Sequence, residues 1–343
     1  MSIRIVVVGL IAALATLTLT PITEAGAIVA WGEDIFADVS DAPAGNDFVA
    51  ITGNLGYNGY ALRSDGSIAA WGSDLHDQVS GAPTGTGFKA IAATNHNAFA
   101  LKADGSIVPW GNDNTYGEIS GTPTASGFVA ISGGAYTGYA LKADGSIVGW
   151  GRNQFGEVSN IPTGTGFKQV SGGTFDGLAL RADGSIAVWG DDTYKVVSEA
   201  PTDSGYTAVL GDDFYGLALR ADGSIKVWGD HPSPLSNDAY HLISGAPTAT
   251  GFTAIAVGYT TAYALRPDGS IVAWGDDMGS GATTDTPTAA GFSAVSGSTF
   301  SGYALGVPEP ASLALLTLAG VGGLMRRNRR QIQSAKSAKQ RQE

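Results

Sequence analysis

The chain has no cysteine in its 343 residues. That excludes disulfide staples, thiolate nucleophiles and cysteine-held metal sites. Histidine is nearly as scarce: His76, His96, His231 and His241 stand ten or more residues apart, with no spacing that suggests zinc. Basic residues are under-represented, with 19 Lys and Arg against 31 Asp and Glu and a net charge of −12. Between Ile28 and Gly306 the imbalance is 11 against 28. That sign excludes nucleic acid as a partner, because such binding needs a basic footprint, and it favours cationic partners. No amphipathic helix of ordinary length, Gly-x-Ser-x-Gly elbow or phosphate loop is present between the ends. Long apolar runs occur only at the two termini.

What the chain does have is a repeat. Trp-Gly occurs at Trp31, Trp71, Trp110, Trp150, Trp189, Trp228 and Trp274, which are all seven tryptophans. A period near 40 residues marks one supersecondary unit copied and stacked. Within a unit such as Phe128 to Trp150, three short apolar runs are separated by a glycine turn and by Asp144-Gly145-Ser146. The same Asp-Gly-Ser recurs at Asp65, Asp104, Asp183, Asp222 and Asp268. Asp-Gly between apolar runs predicts a hairpin with a type I′ turn, positive φ at both central residues. The stretch after each tryptophan is polar and ends in a proline, with room for one edge strand near Val158-Ser159. An aromatic five residues after the proline opens the next unit, from Phe48 to Phe292. The unit from Trp228 carries the insertion HPSPLSNDAYHL, expected as a longer loop.

Short strands, turn signals every dozen residues and 50 glycines predict an all-β fold. Three- or four-stranded sheets set radially make a propeller; an open solenoid is the alternative. The ends discriminate. Ile28–Trp31 is the tail half of a unit, and 292–305 is a head half. A ring joins such halves, since a free strand edge invites aggregation. The expectation is a seven-bladed β-propeller closed by Ile28–Trp31 pairing antiparallel with the strands of Phe292–Leu305.

The motif seen in Ile131–Leu141, Asp144–Gly151 and Asn153 to Gly156-Glu157 resembles the regulator-of-chromosome-condensation repeat. That resemblance spans 28–305 and implies a seven-bladed propeller. The family often has histidine before the small residue of its Ala-Leu strand; here Asn97, Thr137, Asp176, Tyr215, Thr261 or Ser301 stands there. A role that needed those histidines does not carry over. The family includes exchange factors, inhibitors and photoreceptors, so the resemblance implies a fold rather than a role.

The termini read as addresses. Arg4, an apolar run from Ile5 and the small residues Ala25-Gly26-Ala27 form a secretory signal over 1–27, cut after Ala25 or Ala27, with a retained anchor as the alternative. After the propeller (28–306), Pro308-Glu309-Pro310, an apolar run Ala311–Met325 and Arg326, Arg327, Arg329 and Arg330 resemble the PEP-CTERM sorting signal, over 307–330. That resemblance implies an exosortase-like processing partner, transient inner-membrane residence and delivery to the surface or matrix of a Gram-negative bacterium. A 15-residue apolar helix reaches only about 22 Å, short of a roughly 30 Å hydrocarbon core. A plain C-terminal transmembrane anchor is the alternative, and 331–343 is a polar cytoplasmic tail.

Candidate sites are few. The third residue after tryptophan is acidic at Asp34, Asp74, Asp113, Asp192 and Asp277. A ring of these could take Ca²⁺, or each could cap its own turn; no other cofactor is indicated. Aromatics before the Ala-Leu strand, Tyr57, Tyr136, Phe175, Phe214, Tyr259 and Phe300, should share one face and are recognition candidates, with inter-blade packing as their alternative. The tryptophans are expected in blade cores. Adjacent carboxylates such as Asp191-Asp192, Asp212-Asp213 and Asp276-Asp277 read as surface rather than acid–base pairs. The expected function is an exported, non-catalytic recognition or scaffold protein that binds extracellular polysaccharide or protein. The alternatives are a protein-binding inhibitor and a polysaccharide-active enzyme.

Overall fold

A computed structural model describes residues 25–230 and 241–307. Residues 1–24, residues 231–240 of the insertion and everything from Pro308 onward lie outside them. The described chain forms seven antiparallel sheets of three strands each. The first blade is Phe48–Gly53, Asn58–Arg63 and Ile68–Gly72. Phe88–Gly111, Phe128–Gly151, Phe167–Gly190, Tyr206–Gly229 and Ala254–Gly275 repeat that order. Phe292–Gly297 and Ser301–Gly306 form the seventh blade, and Ile28–Gly32 completes it as the outer strand. The register pairs Ile28 with Leu305, Val29 with Ala304 and Trp31 with Gly302. The ring therefore closes as the half-units predict. Three strands per blade suffice: Val158 and Ser159 form a turn, not an edge strand.

Strand position sets burial. Middle strands such as Thr137–Lys142 are buried along nearly their whole length between two neighbouring blades. Inner strands surround the axis and end in glycine in five blades, Gly53, Gly133, Gly172, Gly211 and Gly297, and in Ala93 and Val257 in the other two. These line two narrow axial cavities of about 120 and 110 Å³. A Cβ at Gly133 would lie 2.0 Å from the Ala93 carbonyl oxygen, so inner strands this close require glycine there.

The tryptophans fasten blade to blade. Each indole Nε1 donates to a backbone carbonyl in the adjoining blade's loop, as from Trp71 to Asp38 and Trp150 to Glu118. Trp31, on the strand that closes the seventh blade, donates at 2.9 Å to Ala282 in the loop after the sixth blade. Edge-on contacts accompany these bonds, with Trp71 on Tyr303, Trp110 on Tyr60 and Trp189 on Tyr139. At the seam between the last and first blades, Ser298 Oγ donates to the Asn54 carbonyl and Thr299 Oγ1 to the Leu55 carbonyl.

The Asp-Gly-Ser hairpins differ from the expected type. Positive φ occurs at glycine alone, as at Gly66 (79°) and Gly145 (81°), and not at the preceding aspartate. Gly66 N–H donates to Arg63 and Arg63 N–H to Ser67. This is a type I turn followed by a left-handed glycine, the three-residue hairpin loop. The aspartate acts from the side: Asp65 Oδ1 accepts Ser67 N–H at 2.8 Å.

Candidate functional site

Strand direction gives the ring two unlike ends. Inner strands finish, middle strands begin and outer strands finish at one end, here the crown. The hairpins sit at the other. Every turn from inner to middle strand raises one ring at the crown: Tyr57, His96, Tyr136, Phe175, Phe214, Tyr259 and Phe300. All seven are half-buried. The six aromatics predicted from sequence thus share one face.

A second row stands outside them, from the loops after the tryptophans: Phe36, His76, Tyr116, Phe155 and Tyr194. The two rows touch. Phe36 meets Tyr57 at 5.1 Å, Tyr116 meets Tyr136 at 5.7 Å, Phe155 meets Phe175 at 5.7 Å and Tyr194 meets Phe214 at 4.7 Å. Within the inner row, Phe300 joins Tyr57 and Tyr259. The outer row was not singled out from sequence, although an aromatic five or six residues past tryptophan was its signal. Leu75 and Met278, 71% and 59% exposed, extend the apolar surface. The sequence also gave no reason to pair histidines, yet His76 stacks on His96 at 4.2 Å. Their Nδ1 atoms are bonded to Asn112 and Asp113, respectively.

One arginine is built into this face. Arg152 is 5% exposed and its Nε bonds the fully buried Glu157 at 2.7 Å. Its guanidinium lies 5.0 Å from the Tyr136 ring, 4.6 Å from Phe175 and 6.0 Å from Phe155. It also donates to the Thr174 carbonyl. Beside it are three buried carboxylates, Asp176 and the Asp212-Asp213 pair, the latter read as surface from sequence but enclosed between blades here. Burial, then Asp213, raises Asp176 well above the usual range; burial, then Asp213, does the same to Asp212. Burial pushes Asp213 up to about 7, with Arg152 opposing. Asp176 Oδ1 and Asp212 Oδ2 have no hydrogen-bond partner.

The acidic candidates are placed one to a loop. Asp34 Oδ1 accepts the N–H groups of Val39 and Ser40, Asp74 those of Val79 and Ser80, and Asp192 those of Val197 and Ser198. Asp277 accepts from Gly279 and Thr284. In the third loop Asn114 takes this role, and Asp113 instead bonds Thr115 and His96. Backbone donors from Ser40 and Val39 hold Asp34 below the ordinary carboxylate range. The five carboxylates are not brought together. Among the described residues no three His, Asp or Glu side chains converge in a way that could hold a metal.

Charge is divided between the two ends. Of the eleven Lys and Arg between 28 and 306, nine stand at the hairpin end, where strands such as Asn58–Arg63 and Thr137–Lys142 terminate. Only Arg152 and Lys195 belong to the crown, and each is paired, Lys195 with Asp230 at 2.7 Å. Glu33, Asp34, Asp74, Asp77 and Asp192 are exposed at the crown. Burial and then the Glu33 and Asp38 charges raise the Tyr57 hydroxyl, so acidic charge reaches the aromatic rows.

Comparison with known proteins agrees with this architecture. The regulator of chromosome condensation (RCC1) repeat matches residues 128–157, and the PEP-CTERM protein-sorting motif matches 306–330. No curated protein matches the sequence. Among solved structures, Prp20p from Saccharomyces cerevisiae, described with its binding properties to Gsp1p and histones, superposes with a TM-score of 0.62. It is 15% identical, with 87% of this chain and 95% of that chain covered. Human WBSCR16 gives 0.61 at 13% identity, covering 82% of this chain and 99% of its own. The ectodomain of the receptor kinase CR4 from Physcomitrella patens gives 0.59 at 22% identity, covering 74% and 67%. Likeness at these identities is likeness of fold. The chain is a seven-bladed β-propeller with an RCC1-like repeat, followed by a PEP-CTERM sorting motif that implies export through a C-terminal signal.

Proposed function

We propose that this chain is an exported, non-catalytic recognition propeller that works at the cell surface or in the extracellular matrix. An exosortase-like enzyme would process it at Pro308-Glu309-Pro310, with Arg326 and Arg327 holding the tail inside until cleavage. The observation that carries the reading is the double aromatic row on an acidic crown, in a chain with a sorting motif. Half-exposed aromatics above a rigid scaffold provide contact area at small entropic cost. The first and last strands of the described propeller meet at the hairpin end, where Ile28 pairs with Leu305, away from the crown.

The leader would end at Ala25. Gly26 N–H donates to Phe48 O at 2.8 Å and Gly26 O accepts from Phe48 N–H, while Ala27 O accepts from Gly306 N–H. Cleavage after Ala27 would discard these bonds at the closing blade. Intact mass of the mature protein tests both boundaries: Gly26 as first residue and loss of the arginine cluster are expected. A mature chain retaining Arg326–Arg330 would count against processing. Capture of extracellular polysaccharide or protein by the wild type, and its loss in a Phe36→Ala, Tyr194→Ala double variant, tests recognition. A reducing-sugar activity abolished by one carboxylate substitution would replace this reading with a polysaccharide-active enzyme.

A further inference from the structure

The crown already holds one cation, and the way it does so is repeated around the ring. Arg152 is the second residue after its tryptophan, and it lies among one outer and two inner aromatics with Glu157 as its counter-charge. At the seam between the last and first blades the same positions hold Phe36, Tyr57 and Phe300. There the residue two past tryptophan is Glu33, an exposed carboxylate where the other site has its guanidinium. Among the described residues no Lys or Arg lies over those three rings; Arg152 is the only crown cation over a ring. A third copy has Tyr194 between Phe175 and Phe214, with Asp191 at the arginine position.

We propose that the crown binds an arginine-rich polypeptide, whose guanidinium groups enter aromatic–carboxylate cages of the kind that Arg152 fills internally. Aromatic faces attract cations through their quadrupole, and a planar guanidinium also stacks on rings. The adjacent carboxylate gives it a charged hydrogen-bond acceptor. The acidic crown attracts such a chain from a distance, whereas at the hairpin end the cations are nearly matched by the Asp-Gly-Ser aspartates with Asp47 and Asp203, so the ligand arrives at the crown. The inference rests on the recognition reading above and adds the ligand's chemistry.

The test is binding of fluorescent octa-arginine to the full-length protein by anisotropy. A second arm uses a fully deacetylated glucosamine oligomer of similar charge. Octa-arginine should bind, and the Glu33→Arg, Asp191→Arg double variant, which fills both cages from within, should weaken it by about tenfold or more. Phe36→Ala with Tyr194→Ala should weaken it comparably at unchanged net charge. Asp104→Asn with Asp144→Asn, at the hairpin end, should leave it unchanged. Near-ultraviolet circular dichroism checks that each variant is folded. Undiminished binding in the aromatic variant would reduce the effect to bulk charge and overturn the cages. Binding of the amino-sugar oligomer alone, or of neither probe, would overturn the polypeptide ligand. Continued loss of extracellular capture in the aromatic variant would then leave the recognition reading standing.

Discussion

Ala37, Asp77 and Lys195 adopt left-handed backbone, with φ near 60°, at the sixth residue after tryptophan. Gly156 occupies the same position of its loop, at φ 87°. A side chain in this region costs about 1–2 kcal/mol, which glycine avoids. Ala37→Gly should therefore raise stability by up to about 1 kcal/mol, after its own entropic penalty is counted. An unchanged or lowered urea midpoint would show that the site is unstrained. The aspartates three past tryptophan act in the opposite sense. Asp192→Ala removes the acceptor for two backbone N–H groups and should cost about 1–2 kcal/mol. A melting temperature that drops in Asp192→Ala but not on chelation of divalent cations would identify a turn cap rather than a metal ligand. This capping role was one of two readings available from sequence, because Asp and Asn at a turn start are ambiguous until their donors are placed. Arg152 was not legible at all. Its cage comes from two blades, and no local spacing reports a contact between loops some 20 residues apart.

At the level of strands and turns, repetition made the sequence readable. The glycine turn, Asp-Gly-Ser and Trp-Gly mark both ends of every strand. The turn type was misjudged because Asp-Gly suits two hairpin classes. Loop length decides between them, and pairing Arg63 with Ser67 leaves three residues in the loop. The edge strand near Val158 was misjudged because Asn153 draws its N–H and that of Ser159 into a turn. The outer aromatic row was overlooked for a related reason: polar loops conceal one ring each, and only curvature gathers the rings. The indole bonds are the element-scale fasteners. Trp31→Phe removes one of the two donors to the buried Ala282 carbonyl, which keeps the Tyr263 hydroxyl at 3.0 Å, and should cost about 0.5–1.5 kcal/mol. The loss concentrates at the closing strand, so hydrogen exchange of Ile28–Gly32 should accelerate ahead of the other outer strands. Uniform acceleration around the ring would instead mean that the blades unfold as one unit.

For the molecule as a whole, two unfinished repeats sufficed to predict a circle, whereas total charge concealed its polarity. A net value cannot say which strand ends carry which sign; that requires knowing that nine cations fall where middle strands stop or their neighbours start. The buried acids Asp176, Asp212 and Asp213 make a global pH prediction. Their raised values mean that the folded state keeps protons which the unfolded chain releases. Stability is then full below the ordinary carboxylate pKa of about 4 and falls as pH climbs, for Asp213 through about 7. For Asp213 alone the loss is at most about 4 kcal/mol. Melting should occur at a lower temperature at about pH 8 than at about pH 5, and Asp213→Asn should flatten the difference. Equal midpoints in both proteins would mean that these acids ionise without penalty.

Joining the outer strand of the last blade from the far end of the chain also fixes an order of events. Glu33 and its partner Ser301 are 268 residues apart, so the first strand made is the last to gain a neighbour. Until synthesis reaches that neighbour, six finished blades flank a gap that nothing in the growing chain can fill. Any delay in those final residues prolongs the interval in which the unfinished ring can take a strand from another copy, and the protein's yield should be most sensitive to changes made there.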